Sequence, residues 1–345
     1  MLKCNTLRYL HTTLLALALV SCGDSLLSDD DNNSTQEDTP TAYITQVIDY
    51  MPAPGQYTNS LPEYEEGDTQ EDMNRKVLEY IGNNNGGLIS LGGYGGYVTV
   101  GFDHTIENRE GLCDFRVTGN AYYSTSNPDP DAPEGGSCEA GIIMVAYDAN
   151  NNGLPDSDEW YEIAGSSHAD VTQEPWYDRA LGSGNDMSFY SDFTLSYTRP
   201  TSEPEQSDFS TYIAWSDNKG NSGYVEKNIY HSQSYYPQWV EFDILTFSGS
   251  RLPQNGVYED SSSYYVLYKF LYGYADNHPN SDQGTAIDIA WAVDSNGNSA
   301  QLPGVDFIKI YTGVNQANGG LGESSTEIAG IEDLHILEVE VVSNY

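Results

Sequence analysis

The sequence predicts an all-β fold, and in particular an antiparallel β-sandwich of jelly-roll type. Beyond residue 88 the chain consists of short runs of alternating apolar and polar residues, which turn-forming Gly, Asn and Asp separate. No helices alternate with these runs, and we find no repeat of fixed period, which disfavours propellers and solenoids. The clearest strand-like runs are residues 96–102, 114–118, 193–197, 211–215, 240–244, 264–268, 286–293, 306–311 and 334–342.

One short helix is predicted ahead of the strands. Asp68, followed three residues later by Glu71, resembles a capping box, and the helical pattern ends at Gly82. The apolar face at helical spacing consists of Met73, Val77, Leu78 and Ile81. We therefore expect residues 43–82 to form a lead-in that packs on the sandwich, within a single domain over residues 43–345.

The N-terminus has the features of a secreted lipoprotein. Lys3 and Arg8 supply a short positive region, and residues 9–20 form an apolar stretch too short to span a bilayer. The small residue before Cys22 resembles the lipobox of bacterial lipoproteins, in which this cysteine is lipidated. We predict a signal peptide over residues 1–21 and lipidation of Cys22. An ordinary secretory signal with an incidental cysteine is the alternative.

An acidic, polar tether is predicted to follow. Residues 22–42 contain three consecutive aspartates, Asp29 to Asp31, and are rich in Asn, Ser, Thr and Glu, a composition typical of disordered segments. The acidic cluster is similar to the surface-export signal of Bacteroidota lipoproteins. No other segment is apolar enough to span a membrane. We predict a protein that is anchored in the outer membrane by lipid and exposed at the cell surface.

The composition excludes two classes of partner. The chain has 52 acidic and 13 basic residues, and loss of Lys3 and Arg8 with the signal leaves 11 basic residues, a net charge of −41. This charge repels nucleic acid and anionic lipid headgroups, so we exclude direct binding to either. It favours divalent cations, which relieve the self-repulsion of the chain.

The cysteines predict one disulfide. Cys4 is removed with the signal and Cys22 is acylated, which leaves Cys113 and Cys138 in an oxidising compartment. A bridge between them would close residues 120–137 and stabilise the fold by about 3 kcal/mol in the chain-entropy model. The alternative is two free thiols in a metal or catalytic site, although no histidine is adjacent in sequence.

The most informative motif is a twelve-residue loop that matches a calcium loop at every coordinating position. Gly153, at position six, allows the sharp turn. The predicted ligands are the side chains of Asp148, Asn150, Asn152, Asp156 and Glu159 and the carbonyl of Leu154. The flanking segments predict strands instead of helices, so we predict a structural Ca²⁺ and not a switch. A hairpin loop rich in Asn and Gly is the alternative.

Aromatic residues are the other binding candidates. Their rings suit sugars or large planar ligands, and tyrosine is abundant, with 28 residues. Because alternate aromatics in strands are more often core or sheet surface, aromatics in loops are the better candidates. These are Trp176, Tyr177, Tyr235, Tyr236 and Trp239.

Catalysis finds little support in the sequence. No histidine pair has metal-ligand spacing and no serine lies in a G-x-S-x-G elbow. Carboxylates are so plentiful that no glycosidase pair can be singled out. We therefore predict a protein that is not an enzyme and has no catalytic residues.

Several blocks of sequence resemble the "cell surface protein" lipoproteins of gut Bacteroidota. They are residues 52–57 (PAPGQY), 91–104 (LGGYGGYVTVGFDH), 114–120 (DFRVTGN), 139–145 (EAGIIMV), 158–165 (DEWYEIAG) and 304–312 (GVDFIKIYT). The resemblance covers nearly the whole mature chain. Relatives of this kind are encoded beside outer-membrane TonB-dependent transporters, some of them in loci for corrinoid uptake. The resemblance therefore implies an accessory protein that captures a nutrient for import, with a corrinoid as the leading ligand, but it implies no particular ligand-binding residues.

Two other functions stay open. A glycan-binding or adhesive module would bind sugar with its calcium and tyrosines, and it predicts flat aromatic platforms on one sheet face. A glycoside hydrolase predicts a cleft with two carboxylates roughly 5–10 Å apart. The corrinoid hypothesis instead predicts a pocket that the loop aromatics line.

Overall fold

The computed structural model describes residues 39–124, 132–259 and 264–345. It is mostly β, with 35% strand and 15% helix, and its sheets are antiparallel, which confirms the all-β prediction. The signal peptide (1–21), Cys22 and nearly all of the tether lie outside the described residues. The strands are β1 (Gln46–Met51), β2 (Ile89–Ser90), β3 (Tyr97–Glu107), β4 (Phe115–Thr118), β5 (Tyr122–Tyr123), β6 (Gly135–Ser137), β7 (Gly141–Ala146), β8 (Trp160–Ile163), β9 (Tyr190–Thr198), β10 (Ile213–Asp217), β11 (Ser222–Val225), β12 (Ile244–Arg251), β13 (Gly256–Glu259), β14 (Tyr264–Tyr268), β15 (Ala286–Ile287), β16 (Ala292–Val293), β17 (Gly304–Thr312), β18 (Glu327–Ile328) and β19 (Gly330–Asp333).

These strands form several small sheets. The largest has the order β1-β3-β17-β7-β8-β16, and two four-stranded sheets have the orders β11-β10-β9-β12 and β13-β14-β6-β5. Smaller sheets join β15-β4-β19 and β18-β2. The arrangement resembles the four blades of a propeller, so the jelly-roll prediction is wrong. The sequence shows no matching repeat because the sheets differ in strand number, and partners such as β3 and β17 are far apart in the chain.

The predicted helix is present as α1 (Gln70–Ile81), but its capping box lies one residue later than predicted. The Thr69 hydroxyl accepts a hydrogen bond from the Asp72 N–H at 3.3 Å, and the Asp72 carboxylate accepts from the Thr69 N–H at 3.0 Å. Asp68 instead pairs with Lys76 at 2.7 Å. The other helical elements are α2 (Ser166–Ala169), α3 (Tyr177–Gly182) and short 3₁₀ turns at Gly82–Asn84, Val171–Gln173, Gln206–Thr211, Gln283–Thr285, Ile289–Trp291 and Gly319–Leu321.

The interior contains three main apolar clusters. One packs α1 against the six-stranded sheet through side chains such as Val77 and Val100. A second, rich in aromatic rings, includes Phe193 and Phe247 of the β9–β12 sheet. The third joins β13 and β14 to β17, with Tyr311 among its members. Among the described residues, no helix is both long enough and apolar enough to cross a membrane.

The predicted disulfide is absent, because Cys113 and Cys138 are free and buried thiols. Cys113 packs with Ala286 and Leu334, whereas the carbonyl of Cys138 accepts a hydrogen bond from Asn255 Nδ2 at 2.8 Å. The fold therefore places the two cysteines in different surroundings. Burial raises the pKa of the Cys113 thiol to about 12 and raises that of Cys138 as well.

Candidate functional site

The predicted calcium loop joins β7 to β8, which are antiparallel neighbours. Gly153 has a φ of +76°, the left-handed conformation that the sharp turn needs. The Asp148 carboxylate accepts hydrogen bonds from the backbone N–H groups of Asn152 at 3.0 Å and of Gly153 at 2.7 Å. The loop thus curls back onto its first residue, as a calcium loop does.

The later side chains of the loop also turn inward. Asn150 and Asn152 donate from Nδ2 to Asp156 Oδ2, at 2.7 and 2.9 Å. Glu159 accepts hydrogen bonds from the N–H groups of Ala149 and Asp156, both at 3.0 Å. The five side chains that the sequence predicts as ligands therefore belong to one hydrogen-bonded turn. These residues fit an oxygen-coordinated cation if the two asparagine amides rotate their oxygens inward.

A second acidic group, whose three residues come from separate segments of the chain, lies in the interior. Glu139, Asp276 and Glu327 each place a carboxylate oxygen within 4.8 Å of the other two. Within residues 39–124, 132–259 and 264–345, this is the one such group of three or more potential ligands. Asp276 and Glu327 are buried and Glu139 is half-buried. We call these three residues the carboxylate cluster.

Backbone groups hold the carboxylate cluster in place. Asp276 Oδ1 accepts hydrogen bonds from the N–H groups of Asn120 and Ala121, and its Oδ2 accepts from the N–H of Glu327, all at 2.9 Å. Two serine hydroxyls donate to Glu327 Oε1, at 3.0 and 2.8 Å. Glu139 Oε1 accepts from a backbone N–H at 3.0 Å. The three carboxylates therefore cannot move apart without breaking buried hydrogen bonds.

The carboxylate cluster has no basic partner among the described residues, since none of its members forms an ion pair there. Burial raises the pKa of Glu139 to about 7 and that of Asp276 to about 8, and it raises the pKa of Glu327 well above the ordinary value. Near neutral pH the cluster therefore holds protons or a cation. Oxygens bound to one calcium lie at most about 5 Å apart, twice the metal–oxygen distance, so the spacing fits a hard divalent cation.

A cavity of about 280 Å³ opens beside the cluster. Glu139 and Glu327 line it together with Gln56, Asn120 and Ser325. A small ion or water can therefore approach the two carboxylates through this cavity. A cation held there would lie in the interior of the fold, at a site that shares no residue with the predicted calcium loop.

A larger groove of about 420 Å³ lies beside β10, β11 and β14. It is lined by Trp215 of β10, Tyr224 of β11 and Tyr265 of β14, and we call it the aromatic groove. The indole of Trp215 lies over Gly223, its cross-strand neighbour, where a Cβ would come within 2.7 Å of the ring. The volume falls within the range of about 300–1,000 Å³ typical of small-molecule sites.

Two sets of polar side chains in the aromatic groove differ in whether they have hydrogen-bond partners. Gln254 and Gln316 donate from Nε2 to backbone carbonyls, at 2.9 and 2.7 Å, and so support the walls. By contrast, the indole N–H of Trp215 and the hydroxyls of Tyr224 and Tyr265 have no hydrogen-bond partner in the described part of the chain. These aromatic side chains can therefore offer both a ring face and a polar atom to a ligand.

The structure buries three of the five loop aromatics that the sequence predicts as ligand-binding residues. The side chains of Trp176, Tyr235 and Tyr236 are 0%, 0% and 1% exposed, which disfavours a role in ligand contact. Trp239 stacks between core rings and Tyr177 lies half-buried at the start of α3. None of the five lines the aromatic groove.

Polar contacts of the side chains explain why Trp176 and Tyr235 occur in loops although their rings are buried. Trp176 donates from Nε1 to the carbonyl of Lys269 at 2.8 Å, and Lys227 lies 5.2 Å from the ring centre of Tyr235. They anchor loops to the core. A signal for the groove was present in the strand alternation, because Tyr224 occupies an outward position of β11 and is 46% exposed. No local signal marks the carboxylate cluster, since its residues come from three distant segments.

No protein-family model matches this sequence, and a search of curated proteins also found no match.

Proposed function

We propose that this chain is a surface-exposed lipoprotein that binds a polar, ring-containing nutrient as an accessory to an outer-membrane TonB-dependent transporter. The supporting observation is the aromatic groove, in which Trp215, Tyr224 and Tyr265 present rings whose polar atoms have no hydrogen-bond partner among the described residues. Small-molecule sites combine apolar faces with a few such polar groups. Lipid on Cys22 anchors the protein to the outer membrane.

The first candidate ligand is a corrinoid, because the sequence resemblance implies it. A corrinoid offers a large ring system with amide side chains at its rim. It is larger than the 420 Å³ groove, so it would place one edge among the three aromatic side chains and leave the remainder at the surface. Indole and phenol groups would then donate hydrogen bonds to its rim amides.

The second candidate ligand is a glycan, and the size of the groove favours it. A groove of about 420 Å³ can enclose a small sugar unit, and the free N–H and O–H groups match sugar hydroxyls. Aromatic faces beside such donors are a common way to bind sugar rings. In this case the protein acts as a glycan-binding surface module.

We also propose that calcium stabilises the fold. The loop ligands are Asp148, Asn150, Asn152, Leu154, Asp156 and Glu159, as the sequence predicts. The carboxylate cluster is a second candidate site for a divalent cation, because it gathers three oxygens and has no basic partner in the described chain. Calcium would hold both segments without taking part in a reaction.

The test is a titration of the soluble mature domain with cyanocobalamin, followed by tryptophan fluorescence with inner-filter correction in calcium buffer. We expect saturable quenching at submicromolar ligand. Isothermal titration calorimetry of the Trp215→Ala variant with cyanocobalamin should then show binding at least about tenfold weaker, because the substitution removes a central aromatic contact of the site. A glycan array is probed in parallel with the same protein.

Trp160→Phe is the matched control, because Trp160 is also half-buried but does not line the aromatic groove. It should bind like the unmodified protein. Glycan binding without cyanocobalamin binding would assign the groove to sugar. Absence of both, or equal loss in the two variants, would contradict the proposed function.

A further inference from the structure

The outer face of the β11-β10-β9-β12 sheet has an unusual composition. Its inner face is apolar and buried, with Leu195 and Phe247 as examples. Apart from Ile244, which pairs with Thr198 and is 58% exposed, Tyr224 and Asp192, its outer face bears small side chains, nearly all with a hydroxyl. They are Thr194, Ser196 and Thr198 of β9, Ala214 and Ser216 of β10, Ser222 of β11, and Thr246 and Ser248 of β12. We call these eight residues the hydroxyl face.

The strand register aligns these hydroxyls in rows. Ser222 pairs with Ser216, Ser216 with Ser196, and Ser196 with Thr246, so one row crosses all four strands. Neighbouring strands are about 4.8 Å apart, which spaces the hydroxyls regularly. The Ser196 and Thr246 hydroxyls lie 2.8 Å apart, and a parallel pair in the next row lies 2.9 Å apart. Hydrogen bonds between strands therefore fix the hydroxyls of two rows.

The hydroxyl face is also uncharged, in a chain with 52 acidic residues. The four strands contain three charged residues, of which Asp217 and Arg251 lie at inward positions of the alternation, and Asp192 lies at one end of the outer face. Serine is not among the residues that strands favour, and although Ser196 and Ser248 form cross-strand hydroxyl pairs, the side chains of Ser216 and Ser222 have no such partner in the described chain. A neutral, hydroxyl-rich surface on a strongly anionic molecule instead suits a neutral ligand.

The size of the face decides between a protein and an extended chain as its occupant. Four strands and three rows cover roughly 300 Å². A stable protein complex buries about 800 Å² on each partner, so a second copy of this chain or another globular protein would gain too little contact. A polysaccharide chain is narrow enough to use this area. Tyr224, 46% exposed and opposite Ala214, adds an aromatic ring beside the rows.

We infer that the hydroxyl face is a second binding surface, which adjoins the aromatic groove at Tyr224, and that it takes an extended chain of a neutral polysaccharide lying across the four strands. Hydroxyls of the ligand exchange hydrogen bonds with the serine and threonine rows, and a sugar ring packs against Tyr224. This inference does not depend on which ligand occupies the groove.

The test is native affinity electrophoresis of the mature domain in gels that contain mixed-linkage β-glucan, galactomannan or dextran, with polygalacturonate as the acidic comparison. We expect at least one neutral polysaccharide to retard the protein and polygalacturonate to have no effect. The double substitution Ser216→Glu and Thr246→Glu places two charges in the rows. It should weaken retardation at least about tenfold, because a neutral polysaccharide that binds there would have to displace water from the two carboxylates.

Three controls make the outcome specific. Ser295→Glu adds a charge at an exposed turn away from the hydroxyl face and should leave retardation unchanged. Ser196→Ala with Ser248→Ala removes hydroxyls without adding charge, and thermal melting verifies that each variant is folded. Trp215→Ala, which alters the groove, should retain retardation. The inference is overturned if no neutral polysaccharide retards the protein, if polygalacturonate does so equally, or if the groove variant loses retardation while the charged rows keep it.

Discussion

The predicted calcium loop and the carboxylate cluster are two acidic regions in which repulsion between neighbouring carboxylates is reduced in different ways. The loop is a contiguous turn at the surface with only its last residue, Glu159, buried, and its carboxylates accept hydrogen bonds from nearby N–H and amide groups. The cluster is assembled in the interior from Glu139, Asp276 and Glu327, and no described basic residue pairs with it. In the loop, water and local donors disperse the charge, whereas burial in the cluster keeps protons on the carboxyls.

This difference predicts how much each region contributes to the free energy of unfolding. Exposed carboxylates change stability little when they are removed, because water replaces what they lose. Buried carboxylates that accept backbone hydrogen bonds leave orphaned donors behind when they are removed. The same burial makes the cluster sensitive to pH and to cations, while the loop is predicted to respond to cations.

The largest difference should appear when the first residue of the loop and the central residue of the cluster are truncated. Asp276→Ala leaves two buried N–H groups and one partly buried N–H group without an acceptor, and should lower the free energy of unfolding by about 3–5 kcal/mol. Asp148→Ala removes contacts in an exposed turn and should lower it by about 1 kcal/mol. Urea unfolding at pH 6 with chelator measures both.

The choice of pH separates hydrogen bonding from charge repulsion. At pH 6 the raised pKa of Asp276, about 8, keeps its carboxyl protonated, so that its removal relieves little repulsion. Equal losses in the two variants, or a gain of stability in Asp276→Ala, would show that the buried hydrogen bonds do not dominate the cluster.

The second prediction concerns pH dependence without divalent cations. Folding raises the pKa of Glu139 from 4.5 to about 7 and that of Asp276 from 3.8 to about 8. The folded state therefore binds more protons than the unfolded state across this range, and stability falls as pH rises through it. We expect a loss on the order of 2–4 kcal/mol between pH 6 and 8.5 by urea unfolding, a window where ordinary carboxyls are already ionised.

Glu327→Gln supplies the matched test of this slope. It removes one of the interacting carboxylates and keeps an oxygen that can accept the serine hydrogen bonds, so the pH dependence should become shallower. Glu79→Gln, an exposed residue of α1, should leave the slope unchanged. A stability that is constant or rises over this window would exclude buried, proton-holding carboxyls.

The contrast between loop and cluster also explains what could be predicted from the sequence. The turn of the loop could be predicted because its twelve residues are consecutive, and Gly153 adopts the left-handed conformation that the motif requires, while calcium binding by the loop stays a prediction. The all-β class and α1 were predictable for the same reason, since alternation and capping are local patterns. The cluster was not, because residues 139, 276 and 327 meet only after long-range folding.

Other parts of the prediction failed where an inference from composition required knowledge of packing. An even number of cysteines predicts a bridge only if the fold brings the thiols together, and Cys113 and Cys138 lie in different surroundings. Loop position predicts exposure for aromatic residues, yet Trp176 and Tyr235 are fully buried and anchor loops by their polar atoms. The sheet arrangement depends on pairings such as β14 with β6, which no local pattern records.

The smallest expected effect distinguishes the two regions as cation sites. We expect calcium to raise the free energy of unfolding by about 1.4 kcal/mol for each occupied site when free calcium is ten times the Kd. At pH 6 the cluster holds protons and only the loop should respond, so Glu159→Gln should abolish the effect. At pH 8 ionised carboxylates of the cluster should add a second increment, which Glu327→Gln should remove because it takes away one of the three oxygen ligands.

Melting curves with calcium and with chelator at both pH values measure these increments. If calcium stabilises the protein equally at both pH values and Glu327→Gln has no effect, the cluster binds protons and no calcium. If Glu159→Gln does not change the calcium effect at pH 6, the loop binds no calcium.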